Sequence, residues 1–375
     1  MRNKLFADVA GRLRVAGFAA AIALCGASSL ALANGTPPPE SVATDQTNVQ
    51  GVVAYPEPPA GFNPLSASDA EIEQYGFPPR PDAQSEPDQY RHWQKLVSVP
   101  RVANPKLQQT TIHNGPAQAV SAGATLKNKT VSATSTNWSG YAVTGKNGTF
   151  KSNNSAIYAE WVVPIAQQPF GVCNGGWNYS SQWIGFDGYN SGDVLQAGTE
   201  VDAYCSGGTT DTFYSSWIEW YPYVETRVSS PPAEPGDLMG SEVWYTTTSP
   251  YGHAYLANYT LNEAATYTFN PPPGTTYVGN SAEWIEERPG VSGGLADLTN
   301  YVADPFNVDY AKTAKGSFYP SKSPGGTKRI AISMVCPPWN ASGCSSPTVI
   351  STPYLSGLDT IWFYDSGPAY GSGLP

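Results

Sequence analysis

Trp217-Ile218-Glu219-Trp220-Tyr221 and Ser281-Ala282-Glu283-Trp284-Ile285-Glu286-Glu287 decide the fold. Both are short runs of aromatic and aliphatic residues interrupted by carboxylates, and as strands they sort their side chains by parity. In the first run Trp217, Glu219 and Tyr221 share one face, and Ile218 and Trp220 the other. In the second, Glu283 shares its face with Ile285 and Glu287, and Trp284 points the opposite way. A third run, Val194-Leu195-Gln196-Ala197-Gly198-Thr199-Glu200, sets the amide of Gln196 beside residues small enough to admit a ligand. Taken singly, each is also the pattern of a solvated strand face.

Working outward, runs rich in Trp, Tyr, Val, Ile and Thr recur at 157–163, 180–186, 212–221, 242–248, 254–261, 265–269, 282–287, 329–335 and 360–364, punctuated by Gly, Pro, Asn and Ser. Short strands at this spacing predict an all-β antiparallel sandwich or barrel. No useful helix-period segment follows Ser135. About 240 residues enclose one sizeable core, so residues 134–375 are read as a single domain.

The preceding chain has a different composition. Arg2, Lys4, Arg12 and Arg14 precede an apolar run that ends in Ala31-Leu32-Ala33, the form of a secretory signal peptide over residues 1–33. Residues 34–133 are rich in Pro, Gln, Ala and Ser and read as a largely irregular prosegment. One short helix is expected there, capped at Ser68 or Asp69 and stopped at Gly76. A second amphipathic piece surrounds Tyr90-Arg91-His92-Trp93. Cys25 falls in the leader. The remaining Cys173, Cys205, Cys336 and Cys344 suit two disulfides in an exported chain, with Cys173–Cys205 and Cys336–Cys344 favoured among three pairings.

Charge and composition exclude several functions. The formal net charge is −10, and from Ser135 onward 20 carboxylates face 9 Lys and Arg, which disfavours nucleic acid as a partner. No run after the leader approaches the roughly 20 apolar residues that cross a bilayer. His253 is the only histidine in the second half of the chain, so Ser-His and zinc chemistry have little to work with. A pepsin-like pair of Asp-Ser/Thr-Gly turns is absent, since only Asp365-Ser366-Gly367 occurs. Carboxylate and amide chemistry remains, without a metal or cofactor.

In order, the motifs are Asn137-Trp138-Ser139-Gly140-Tyr141, Ala159-Glu160-Trp161-Val162-Val163-Pro164, Gln182-Trp183-Ile184-Gly185-Phe186-Asp187-Gly188, Leu195-Gln196-Ala197-Gly198, Trp217-Ile218-Glu219-Trp220-Tyr221-Pro222 and Ala282-Glu283-Trp284-Ile285. Together they resemble the eqolisin family, the glutamic peptidases of fungi and some bacteria. The resemblance implies a concanavalin A-like jelly-roll β-sandwich of two antiparallel sheets with its site on a concave face. It implies Gln196 and Glu283 as catalytic dyad and Trp138, Trp183, Asp187, Glu200, Trp217, Glu219 and Tyr221 as cleft residues. Glu200 departs from the Asp of fungal members but keeps a carboxylate.

In such a site a carboxylate activates water against a peptide carbonyl and then protonates the leaving nitrogen, while a neutral amide steadies the oxyanion. The expectation is a secreted, monomeric acid endopeptidase acting on polypeptides and inhibited by its own prosegment. The rivals are a jelly-roll glycosidase using Glu219 and Glu283, and a carbohydrate-binding protein with aromatic platforms.

Overall fold

A two-layered ladder carries the chain. The computed structural model describes residues 45–102, 105–125, 130–153, 155–168, 173, 175–336 and 348–365. The expected leader, Cys25, Cys344 and Ser366-Gly367 lie outside them. The N-terminal segment forms β1 (Asp45–Gln46), β2 (Val52–Ala54), α1 (Asp69–Gln74), α2 (Pro87–Val97), β3 (Leu107–Gln109), β4 (Ile112–His113), β5 (Ala119–Thr125) and β6 (Thr130–Ser135). Then come β7 (Trp138–Thr144), β8 (Ala156–Val162), β9 (Gly176–Asn178), β10 (Ser181–Phe186), β11 (Val194–Ser206) and β12 (Thr209–Tyr221). The chain continues through β13 (Thr226–Val228), β14 (Leu238–Tyr245), β15 (Gly252–Asn258), β16 (Glu263–Phe269), β17 (Ser281–Glu287), β18 (Gly290–Val291) and β19 (Gly294–Leu295). It ends in β20 (Ala303–Thr313), β21 (Gly316–Phe318), β22 (Lys328–Cys336), β23 (Thr348–Ser356) and β24 (Thr360–Asp365).

Hydrogen bonding orders one layer β3-β13-β12-β11-β10-β17-β7-β22. The other runs β2-β16-β15-β14-β8-β20-β24-β23. β22 also pairs with β23, which joins the layers along one side. These pairs are antiparallel, and β6 adds to β22 in parallel. The antiparallel sandwich expected from the strand pattern is therefore present.

Parity along the strands makes the core between the layers. Ile184, Leu195, Ile218, Trp220 and Trp284 from the first layer meet Ile157, Trp161 and Val243 from the second in one buried cluster. Each large apolar side chain so buried contributes on the order of 2 kcal/mol. Cys173 and Cys205 form the expected disulfide, with Cα atoms 5.2 Å apart. No helix among the described residues is long and apolar enough to cross a membrane.

The N-terminal segment is more ordered than its composition implied. α1 starts where expected, with Ser68 and Glu71 in a reciprocal capping box. α2 buries Trp93, Leu96 and Val97, which join Ile72 and Phe77 against Tyr158, Trp244, Tyr255 and Tyr310 on the outer face of the second layer. That face is aromatic and needs cover, which is why a few well-spaced apolar residues fold this stretch. Two ion pairs, Lys95–Glu160 at 2.5 Å and Lys312–Glu86 at 3.0 Å, flank the contact.

Candidate active site

On the outer face of the first layer, Gly185 of β10 is in register with Gln196 of β11 on one side and Glu283 of β17 on the other. The row extends to Glu219 on β12 and Ala142 on β7. Two strand spacings put the backbones of Gln196 and Glu283 about 10 Å apart. Between them Gly185 has no side chain, and none would fit: a Cβ there would come 2.5 Å from the Leu195 carbonyl oxygen and 2.9 Å from Gln196 Cβ.

The next row along the strands is Trp217, Gly198, Trp183, Ile285. Trp138 meets Trp183 edge to face, with ring centroids 4.9 Å apart. Trp138, Trp183, Trp217 and Ile285 form a cluster separate from the interlayer core, with Tyr221 packed against it. The sequence-predicted aromatics are thus brought to one wall of one groove.

Glu283, Glu219, Glu200 and Glu287 share this face, all buried. Burial drives the Glu283 pKa well above the ordinary glutamate range, the Ser281 hydroxyl opposes this, and the nearby Asp187 charge adds to it. Neither Glu283 oxygen has a well-aligned hydrogen-bond partner among the described residues. Glu219 is likewise raised by burial, as are Glu200, beside Asp202 and Glu225, and Glu287. Ser181 donates to Glu200, and Trp183 Nε1 donates to Glu287 at 3.0 Å.

Asp187 has a different position from the other predicted cleft residues. At φ 69° it ends β10, and its carboxylate accepts backbone N–H groups of Val278, Gly279 and Asn280, each at 2.8 Å. It pins the loop that leads into β17, and both of its oxygens are engaged there.

The groove is covered by the chain's own N-terminal segment. Asn114 N donates to Glu219 Oε2 at 3.0 Å, and Gln196 Nε2 donates to the Asn114 carbonyl at 2.5 Å. Gly115 N donates to Glu287 Oε1 at 3.2 Å, and Trp138 Nε1 donates to the Gly115 carbonyl at 2.9 Å. The His113 ring lies edge-on to Tyr221, 6.0 Å between centroids. This cover explains why Gln196 and Glu283 are inaccessible although they face away from the interlayer core.

Sequence reasoning missed Gly185, Glu287 as a peptide-contacting group, Asn137, which donates to Glu287 at 3.0 Å, and Glu225 with its partner Arg227. Parity had already put Glu287 on the face of Glu283. Gly185 gave no local signal, because its importance lies in which strands flank it.

A sequence model of the Peptidase A4 family matches residues 136–334. Aspergillopepsin-2 of Aspergillus niger is 27% identical over 162 residues, which are 41% of this chain and 56% of that protein; the chain spans little more than half the length of this relative. A crystal structure of scytalido-glutamic peptidase with a peptide-based transition state analog aligns at TM-score 0.47 and 20% identity, covering 61% of this chain and 98% of that one. Aspergilloglutamic peptidase from Aspergillus niger aligns at 0.40 and 24%, covering 50% and 99%. The family match spans more than half of the sequence, including every residue of the Glu219-Gln196-Gly185-Glu283 row, and the chain belongs to the Peptidase A4 family.

Proposed function

We propose that the chain is the precursor of a secreted acid endopeptidase that hydrolyses polypeptides with Glu283 and Gln196. One observation carries the reading: the Gln196 amide donates to a backbone carbonyl, that of Asn114, in a segment lying across the groove. A peptide fits the site, and an uncharged N–H is aimed at its carbonyl oxygen. Glu283 takes a proton from water as the water attacks that carbon, then delivers it to the leaving nitrogen. Gln196 bears the charge that develops on oxygen, and because it does not ionise it does so at any pH. Glu219 and Glu287 accept peptide N–H groups and fix the register, and Asp187 holds the loop that carries Glu283.

A raised pKa suits this role, since it makes the ionised carboxyl a stronger base toward the attacking water, and the proton taken up there is the one returned to the amine. The apolar leader supports export, and the covering segment supports inhibition of a monomeric precursor by its own N-terminal part. A glycosidase built on Glu219 and Glu283 would leave the Gln196-to-carbonyl bond without a use. Glu283→Gln is expected to lower acid proteolysis of denatured casein at least about 10³-fold, and Gln196→Ala about 10²–10³-fold. Both should keep the circular-dichroism spectrum and melting temperature of the parent. Full activity in either variant would refute the assignment.

A further inference from the structure

We propose that the Asn114–Gly115 peptide bond is the bond this site cuts in its own chain. The inference rests on the reading of Gln196 and Glu283 as the dyad and adds the substrate bond.

Every backbone polar atom on the two residues flanking this bond is held by the groove. Asn114 N is on Glu219 and its carbonyl on Gln196. Gly115 N is on Glu287 and its carbonyl on Trp138. The Asn114 side-chain amide reaches Glu225 Oε2 at 3.4 Å. The neighbouring peptide units meet other groups. His113 pairs with Gly290 in the small sheet, the Pro116 carbonyl accepts from Asn137 Nδ2 at 3.1 Å, and Ala117 N donates to the Gly188 carbonyl at 3.1 Å. Of the carbonyls crossing the groove, Asn114's is the one that Gln196 contacts. Gly115 also eases the fit to the wall, since a Cβ there would lie 3.2 Å from the Tyr221 ring, closer than ordinary contact.

The chemistry closes without any other reagent. A water oxygen bonds to the Asn114 carbonyl carbon while Glu283 takes its proton, and the carbonyl oxygen gathers charge against the Gln196 amide. The carbon–nitrogen bond then breaks as Glu283 passes the proton to Gly115 N. The products are a carboxyl on Asn114 and an amine on Gly115. The new carboxyl faces Glu219 and Glu225, and wherever the pH ionises it together with either of them like-charge repulsion drives it out of the groove. Residues 45–114 stay docked through β2 on β16, β3 on β13 and the α2 contact. The cut therefore opens the groove without requiring the N-terminal layer to leave.

The test uses the full chain, with Glu283→Gln alongside, acidified and followed by intact mass and N-terminal sequencing. The expected result is a new N-terminus at Gly115 in the parent and none in the variant. Because Asn114 is fully buried, the cut should be first order, with the same rate constant across a tenfold range of protein concentration. A parent that digests denatured casein but keeps its own chain intact, or begins at another residue, overturns this inference and leaves the dyad standing. A parent that cleaves neither casein nor itself removes both. Formation of the Gly115 terminus in Glu283→Gln, or a rate rising in proportion to concentration, assigns the cut to another molecule and also overturns it.

Discussion

Gln196 and Glu283 are each in register with Gly185, one from either side of β10. An amide and a carboxyl on alternate strands of a sheet normally have a third side chain between them. Here the middle position carries no side chain, and Trp183 and Trp217 stand one row away on the same face. The separation is set by the spacing of strands and not by a flexible loop, so the site is held on rigid elements.

Gly185→Val should therefore damage the site more than the fold. The added Cβ meets the Leu195 carbonyl oxygen at 2.5 Å, a clash that costs about 1–3 kcal/mol as an overpacked position. Its branches would occupy the space between Gln196 and Glu283, the proposed dyad. The expectation is a protein that still melts cooperatively but has lost at least about 10²-fold in kcat/KM. Near-parental turnover by this variant would show that the space over Gly185 is not where substrate sits.

Trp93 ties the N-terminal segment to the second layer. It is fully buried, donates from Nε1 to the Pro78 carbonyl at 2.9 Å, and lies under the Arg80 guanidinium at 5.1 Å. Trp93→Ala should cost about 3–5 kcal/mol. The loss should be local, read as faster hydrogen exchange across α1 and α2 with β10, β11 and β17 still protected. Uniform loss of protection in all five elements would mean the segment and the sandwich fold as one unit.

The alternation that sorted Trp217, Glu219 and Tyr221 from Ile218 and Trp220 was legible because each strand has one face on the interlayer core and one on the groove. The roles of Gly185 and Asn114 were not legible, since both depend on partners in other strands or 82 residues away. The N-terminal segment was under-read for a related reason. Its apolar residues are few, and their value depends on the aromatic outer face that Tyr158, Trp244 and Tyr255 present to them. Burial of the carboxylates was also hidden, because Glu286, to which no role was given, turns inward to take a hydrogen bond from Gln182 at 2.9 Å.

Reduction or removal of the Cys173–Cys205 bridge tests whether the far end of β11 supports the site. The bridge spans 32 positions, for which loop-closure entropy gives roughly 3–4 kcal/mol. Cys205→Ala should lower the melting temperature by about 6–16 °C. The Gln196 and Gly198 rows lie closer to the other end of β11, so kcat/KM measured well below the new transition should stay within about threefold. A collapse of activity in step with stability would place the bridge among the supports of the dyad.

The dependence of stability on pH follows from the direction of the buried carboxylates. Burial raises Glu219, Glu283 and Glu287 in the folded chain, and it pushes Asp193 up to about 7 and Glu242 up to about 8. Above about pH 4, where unfolded carboxyls have released their protons, the folded chain still holds some. It binds more protons than the unfolded chain, so stability falls as pH rises through the folded values. His253 acts in the opposite sense: burial lowers it to about 4, which costs stability below the unfolded value of about 6.5. One imidazole is outweighed by several carboxyls, and the full chain should melt several degrees higher at pH 5 than at pH 8, at about 2–4 °C per kcal/mol. Glu242 faces Lys312, which lowers it, and Glu86, which raises it; replacing it with Gln removes one titrating group and should flatten the slope between pH 5 and 8. A melting temperature that climbs steadily from pH 5 to pH 8 would mean that these carboxyls are ionised in the folded chain and that burial does not raise them.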